Sequence, residues 1–419
     1  MDSNSGIEHE ESHMSEIKRG KTRVKGFSDE EMDFQLLRQM GSSSFGAASV
    51  GECLSLVNRI KDGDPKSWVE EYTKLAQWQQ KDAHKRASKG HTTSARDQFF
   101  KACNSFRAAE YYTSCHDPNH QKLGMQARNC FRDAMDNLWH TFEEHLLTYK
   151  SIDLPVYFMS PSPHEQKRKT LLIVSGYDGT LEEEYFMRGY AALERVYNVV
   201  LFAGPGQMDV FRFYSGTQFE PDFENPTKTV IDFIQDRPEV DIDKLALMGI
   251  SLGGYFATRA AAHEPRIKAL IANSPIINLH DYLAAFAGFD PAEAPDDQNF
   301  TLEDLPEIPE DIMTAEEKSR SENLIIRFGQ PTFKDTFIYL KEFVVGDAIS
   351  NIKCPCLTLV GSGEGGEPEK QYNEFIDKVS GTVTKHQFTE LEGADTHCQV
   401  GNPSYSAAVA LDWLDEIFD

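Results

Sequence analysis

The chain has no apolar run approaching the length of a membrane span. Its first 28 residues alternate acidic and basic clusters and lack the apolar stretch of a secretory signal; residues 1–28 read as a disordered polar tail. Basic charge is also scarce. Against 67 Asp+Glu there are only 42 Lys+Arg, a net charge of −25 at pH 7. Such a field repels nucleic acid and anionic membrane surfaces, so no nucleic acid and no membrane are expected as partners. Cysteines number seven, odd and scattered, which argues against a disulfide framework and for a reducing compartment; a cytoplasmic location is the default. Metal-ligand clusters are missing too. Cys354-Pro355-Cys356 has poor spacing for a zinc hairpin, and Cys115, His116 and His120 find no further ligand pair. Neither a metal nor a cofactor is expected, and there is no internal repeat.

What is present is ordinary globular material: 40% hydrophobic and 26% charged residues in 419, enough for one large core and a smaller appended unit. From about Asp29 to Leu147 the periodicity is helical. Trp68, Tyr72, Leu75 and Ala83 share one face after an Asp64-Pro65 start signal; Phe99, Cys103 and Phe106 mark a second face, and Ala127, Phe131, Ala134 and Leu138 a third. Residues 29–150 therefore read as an N-terminal all-helical cap of about four or five helices. From Ile152 the pattern changes. Short apolar strands at Val156–Met159, Leu171–Val174, Val199–Phe202, Leu245–Met248, Ala269–Ala272, Cys356–Val360 and Val383–Phe388 alternate with helices, two of them opened by Asn225-Pro226 and Asn402-Pro403. That alternation predicts an α/β fold over 151–419, a mainly parallel sheet with helices on both faces. Residues 285–325, rich in Asp, Glu and Pro, are too long for an ordinary connection; they read either as a lid over the carboxyl edge of the sheet or as a solvated loop.

Gly249-Ile250-Ser251-Leu252-Gly253 has the Gly-x-Ser-x-Gly form of a nucleophile elbow. The pentapeptide alone is weak evidence, but it follows a short apolar strand and precedes the helix-forming run Leu252–His263. A strand–turn–helix of this kind strains the serine backbone and lifts its hydroxyl clear of the sheet. A serine hydroxyl needs a base. Of thirteen histidines, His397 lies in the loop after the last strand and before the last helix, where the order Ser…acid…His places it. The supporting acid belongs after the preceding strand, in Gly361-Ser362-Gly363-Glu364-Gly365-Gly366-Glu367. Glu364 is the first choice there, with Glu367 and Asp395 as rivals. For the oxyanion the expected donors are the N–H of Leu252 and, from the loop Ser175–Thr180, that of Tyr177, with Gly176 as fallback. Gly204-Pro205-Gly206-Gln207 lacks a Gly-Lys-Ser/Thr ending and reads as a tight turn. Glu182-Glu183-Glu184 reads as complementing the start of a helix.

Phe202-Ala203-Gly204-Pro205-Gly206-Gln207, Met248–Tyr255 and Gly393-Ala394-Asp395-Thr396-His397-Cys398-Gln399 together resemble a branch of the α/β-hydrolases with an N-terminal helical cap. The branch includes bacterial peptidase-like esterases, a C–C bond hydrolase of nicotine breakdown, and fungal hydrolases of polyketide and hybrid polyketide–amino acid pathways. The resemblance runs from about residue 30 to the end. Ile271-Ala272-Asn273-Ser274-Pro275 and the cap bring the chain nearest the fungal group. In that frame the seven strands count as the second to eighth of the hydrolase sheet, the first being unclear. The resemblance implies a serine nucleophile at Ser251, a base at His397 and an acid at Glu364, where many hydrolases have aspartate. It also implies a small-molecule substrate: a polyketide-type or polyketide–amino acid secondary metabolite cleaved at a C–C, ester or thioester bond, with or without ring closure. A homodimer is a further expectation. Two alternatives stand beside this one, an acylaminoacyl-peptidase or esterase-like serine hydrolase and a catalytically silent binding protein of the same fold.

Overall fold

The computed structural model describes residues 17–136, 138–163 and 166–419. Among these residues five α-helices come first: α1 Glu30–Gly41, α2 Val50–Val57, α3 Pro65–Ala87, α4 Thr92–Tyr111 and α5 Pro118–Met135. Asp29, Asp64 and Asp117 cap α1, α3 and α5 by accepting backbone N–H groups at their starts. Pro65 and Pro118 stand just inside two of these helices, where no N–H is needed.

Eight strands follow: β1 Glu143–Tyr149, β2 Ile152–Met159, β3 Arg168–Val174, β4 Asn198–Phe202, β5 Val240–Ile250, β6 Ala269–Asn273, β7 Cys356–Gly361 and β8 Val383–Phe388. They form one sheet in the order β1-β2-β4-β3-β5-β6-β7-β8. The β1–β2 and β2–β4 pairs are antiparallel and the remaining pairs parallel. The fold is α/β, a mainly parallel sheet among helices, with a helical N-terminal region. All seven strands read from the sequence lie within β2–β8. β1 corrects the helical reading of the region up to Leu147. As an exposed edge strand with Glu143, Glu144 and His145 in it, β1 carries no clean apolar alternation, and charge on an edge discourages pairing with another chain.

The sheet buries both faces, and successive strand residues serve different cores. Leu171, Ile173, Val199, Leu201, Ala246 and Met248 pack with cap residues such as Phe100, Phe106 and Phe131. Leu172, Val174, Val200, Phe202, Leu245 and Leu247 pack on the opposite side with Phe256, Phe337 and Phe343. The cap core is thus continuous with one face of the sheet.

Polar contacts reinforce that junction. The Glu182-Glu183-Glu184 run does occupy a first helical turn behind the Thr180 cap, but all three are buried against arginines, so helix complementation is only part of their role. Arg38 of α1 grips both oxygens of Glu183 at 2.6 and 2.5 Å, and Arg188 pairs with Glu184 at 3.0 Å. Arg212, with no exposed side-chain surface, holds Glu110 of α4 by two bonds of 2.8 and 2.6 Å and reaches Glu182 and Asp209 at 3.1 Å each. Burial and the neighbouring Glu182 charge raise the Asp209 carboxyl well above its ordinary range.

The polar tail expected over 1–28 needs correction for its described part, residues 17–28; residues 1–16 lie outside the described residues. Two buried aspartates hold this strap. Asp33 of α1 accepts from the N–H groups of Gly26 (2.7 Å), Phe27 and Lys25 (3.2 Å each). Asp395 accepts from the N–H of Lys21 (2.7 Å) and Thr22 (3.2 Å) and from the Thr22 hydroxyl. Order here comes from carboxylates meeting backbone donors, which composition does not register.

Removing Arg212 leaves the buried Glu110 and Glu182 without the cation they share. Arg212→Met is expected to cost about 3–5 kcal/mol of stability, read as a lowered midpoint in urea unfolding.

Candidate active site

The parallel strands deliver the chemistry-bearing loops to their carboxyl edge. Ser251 joins β5 to the helix Leu252–His263 at φ 57°, ψ −125°, a left-handed strained conformation. A Cβ at Gly249 would sit 1.9 Å from the Gly253 carbonyl oxygen, and one at Gly253 would sit 2.4 Å from the Val174 carbonyl oxygen, which accounts for glycine on both sides of the serine. Ser251 N–H is held by the Asn273 carbonyl of β6 at 2.5 Å.

His397 follows β8 and sits with its Nε2 2.9 Å from Ser251 Oγ. Its Nδ1 lies 2.6 Å from Oε2 of Glu364, in the loop after β7. With the proton on Nδ1, the ring donates to Glu364 and accepts from the serine hydroxyl. Glu364 is buried, its other oxygen accepting from Gly361 N–H at 2.7 Å, while Ser274 Oγ lies 3.4 Å from Oε2. Burial opposes a charged imidazolium, but the Cys398 thiol and the Glu364 carboxylate beside the ring outweigh it and raise its pKa above the ordinary 6.5.

The structure thus brings Ser251, His397 and Glu364 together and puts the two rival carboxylates elsewhere. Glu367 accepts from Gln371 Nε2 at 2.9 Å and pairs with Lys370. Asp395 is taken up by the strap.

The oxyanion candidates lie side by side. Leu252 opens its helix, so its N–H has no acceptor within that helix. A Cβ on Gly176 would lie 2.7 Å from Ser251 Cβ and 3.0 Å from Leu252 N, so the Gly176-Tyr177 segment rests directly on the elbow. Two buried side chains fix that segment by its carbonyls. Gln207 Nε2 donates to Ser175 O (2.7 Å) and Gly176 O (3.2 Å), and Arg327 Nη2 donates to Tyr177 O (2.6 Å). In a trans peptide the N–H points opposite to the C=O, so holding the Gly176 carbonyl also aims the Tyr177 N–H.

Sequence reasoning missed both of these residues. The Gly204–Gln207 turn is there, with Gln207 accepting from Gly204 N–H at 2.7 Å, but its glutamine doubles as a brace. Arg327 comes from the helix Ala315–Phe328, more than a hundred residues away in sequence from either carbonyl it binds (Tyr177 and Gly206), and no local signal marks it.

Ser251 and His397 line a cavity of about 970 Å³. Phe34 and Tyr111 of the cap wall it on one side, and Leu283, Phe286 and Phe337, from the stretch between β6 and β7, on another. The segment 285–325 contributes to this wall through Phe286, Phe300 and Met313.

Sheet, elbow and loop order define an α/β-hydrolase. More narrowly, the chain belongs to the FrsA-like esterase family, whose profile matches residues 25–292. It is 30% identical over 420 residues to the 20-hydroxy-prefusarin hydrolase FUS2 of Gibberella moniliformis, covering 94% of this chain and 98% of that one. It is 29% identical to hydrolase LUC6 of a Fusarium species, covering 92% and 96%. Among solved structures, the 2,6-dihydroxy-pseudo-oxynicotine hydrolase superposes with a TM-score of 0.67 at 20% identity, over 90% of this chain and 95% of that one. The chain is a hydrolase by family. Among the described residues no helix is long and apolar enough to cross a membrane.

The ring–carboxylate contact yields a paired prediction. Glu364→Gln is expected to lower kcat by about 10³–10⁴-fold, as loss of the orienting carboxylate does in such sites, whereas Glu367→Gln retains turnover. A base at His397 would act as neutral imidazole, so kcat/KM of the unmodified protein should rise with pH through an inflection above 6.5, and Glu364→Gln should move that inflection downward.

Proposed function

We propose that the protein is a serine hydrolase acting on a carbonyl of a polyketide-type or polyketide–amino acid metabolite in a fungal pathway. In this reading Ser251 is the nucleophile, His397 the base and Glu364 the acid. The observation that carries it is the unbroken line of contacts from Ser251 Oγ through both nitrogens of His397 to Glu364, opening on a cavity at the upper end of the range for small-molecule sites.

His397 Nε2 takes the hydroxyl proton as Ser251 Oγ bonds to the carbonyl carbon, and the carbonyl electrons move to oxygen. The N–H groups of Leu252 and Tyr177 hold that oxyanion. Collapse re-forms the carbonyl and breaks the bond to the leaving group, which takes the proton from the imidazolium. A water molecule deprotonated by His397 then attacks the acyl carbon and releases the acid, restoring Ser251. If the leaving atom is carbon, a neighbouring carbonyl must accept the electron pair as an enolate, as in a 1,3-dicarbonyl. The cap and the β6–β7 stretch exclude bulk water from this chemistry and supply apolar contact to the body of the substrate.

The similarity to a protein named as a hydrolase of 20-hydroxy-prefusarin supports a fungal metabolite over a peptide. A substrate panel tests this. Polyketide-type esters, thioesters and 1,3-diketones should be turned over, and acyl-amino acid anilides should not. Ser251→Ala should abolish turnover while leaving the thermal midpoint essentially unchanged. Cleavage of the anilides alone would assign an acylaminoacyl-peptidase activity instead.

A further inference from the structure

The strap of residues 17–22 crosses the loops that carry Glu364 and His397. Ile17 pairs with Gly365 as an antiparallel bridge, Lys18 N–H donates to Glu364 O at 2.6 Å, and His397 N–H donates to Arg19 O at 3.2 Å. Gly20, at φ 111°, presses so closely that a Cβ there would lie 2.6 Å from the Thr396 Cα. The backbone of Arg19 is therefore hydrogen-bonded to the residue read as the base, and its side chain enters the same cavity as Ser251 and His397. The guanidinium lies between Phe34 of α1, 4.9 Å to the ring centroid, and Phe286, 5.1 Å. Nε donates to Glu31 Oε2 at 2.9 Å, and Nη2 reaches Oε1 at a long 3.5 Å. Tyr111 and Gln35 donate to that same Oε1 at 3.0 and 2.8 Å. One edge of the guanidinium is thus fixed by a carboxylate that other donors also serve, and about a quarter of the side chain remains exposed.

The other cations on the cavity wall are differently committed. Arg38 is gripped by both oxygens of Glu183 and also meets Asp178 at 3.2 Å. Arg188 is divided between Glu184 and the Cys398 carbonyl. Lys334 pairs with Asp296 at 2.8 Å, and Arg320 is two-fifths exposed, 3.7 Å from Glu316.

We propose that Arg19 is a substrate-binding residue, its free edge holding an anionic oxygen of the substrate, either a carboxylate or the enolate of a 1,3-dicarbonyl. This rests on the hydrolase reading. A guanidinium sandwiched between rings and oriented by Glu31 loses little freedom on binding, and its planar fork suits paired oxygens. The strap then has a double role: it clasps the acid and base loops and delivers to the cavity a cation held by one edge only.

The test compares 4-nitrophenyl hemi-esters of succinate, glutarate and adipate with neutral 4-nitrophenyl alkanoates of the same length. The protein should favour the best hemi-ester in kcat/KM by about tenfold or more, the advantage lying in KM. Arg19→Gln/Glu31→Gln removes both charges without stranding a buried carboxylate. It should erase the ratio between the paired esters, while Arg19→Lys should keep part of it. Competitive inhibition by 1,3-cyclohexanedione but not glutarate would assign the enolate, and the reverse the carboxylate. A burst of 4-nitrophenolate from both esters reports acyl transfer whatever the preference. A burst with a ratio that is near unity, or unmoved by the double substitution, overturns the role of Arg19 and leaves the hydrolase reading standing; no turnover of either ester overturns both.

Discussion

The left-handed backbone at Ser251 is the constraint around which the rest is arranged. A non-glycine residue pays for φ 57° only when its surroundings allow nothing else. Here a glycine-tight turn between β5 and its helix, an Asn273 carbonyl on the serine N–H, and the Gly176-Tyr177 segment resting on the elbow leave no alternative. Because the strands on either side run parallel, the loops after β3, β7 and β8 meet at the same edge. One strained residue and one sheet direction therefore account for where the hydroxyl, the imidazole, the carboxylate and the N–H groups of Leu252 and Tyr177 stand.

A second layer of order is ionic and buried, in a chain whose surplus of acid would seem merely solubilising. Glu110, Glu182, Glu183 and Glu184 are buried inside, against Arg38, Arg188 and Arg212, and the Arg38–Glu183 and Arg212–Glu110 pairs span the junction of the cap with the sheet. Such pairs contribute little net stability compared with apolar packing, but they tolerate no mismatch. They set the cap in one register over the site. Asp33 and Asp395 do the same for the strap, and Arg327 does so for the Gly176-Tyr177 segment.

How much of this was legible follows from what kind of signal each part leaves. β2–β8 and the α3 start at Asp64-Pro65 announce themselves through apolar runs and capping chemistry, which are local. The meeting of Ser251, His397 and Glu364 was readable because their loops occupy fixed places in the strand order. Asp395 and Glu367 could be separated from Glu364 only by seeing which partners claimed them. β1 was hidden because an edge strand with charged residues shows no alternation. The strap was hidden because its order depends on buried carboxylates contributed by α1 and by residue 395, hundreds of positions away. Gln207 and Arg327 were invisible for a related reason: each acts on a backbone carbonyl, and backbone carbonyls carry no sequence.

The central claim is that Ser251 is the nucleophile of a working hydrolase. A fluorophosphonate probe with peptide mass mapping tests it most directly. The account predicts a single adduct on Ser251, absent in Ser251→Ala and formed much more slowly in His397→Ala. Well-folded protein that gains no adduct, or gains it on another residue, would contradict the account.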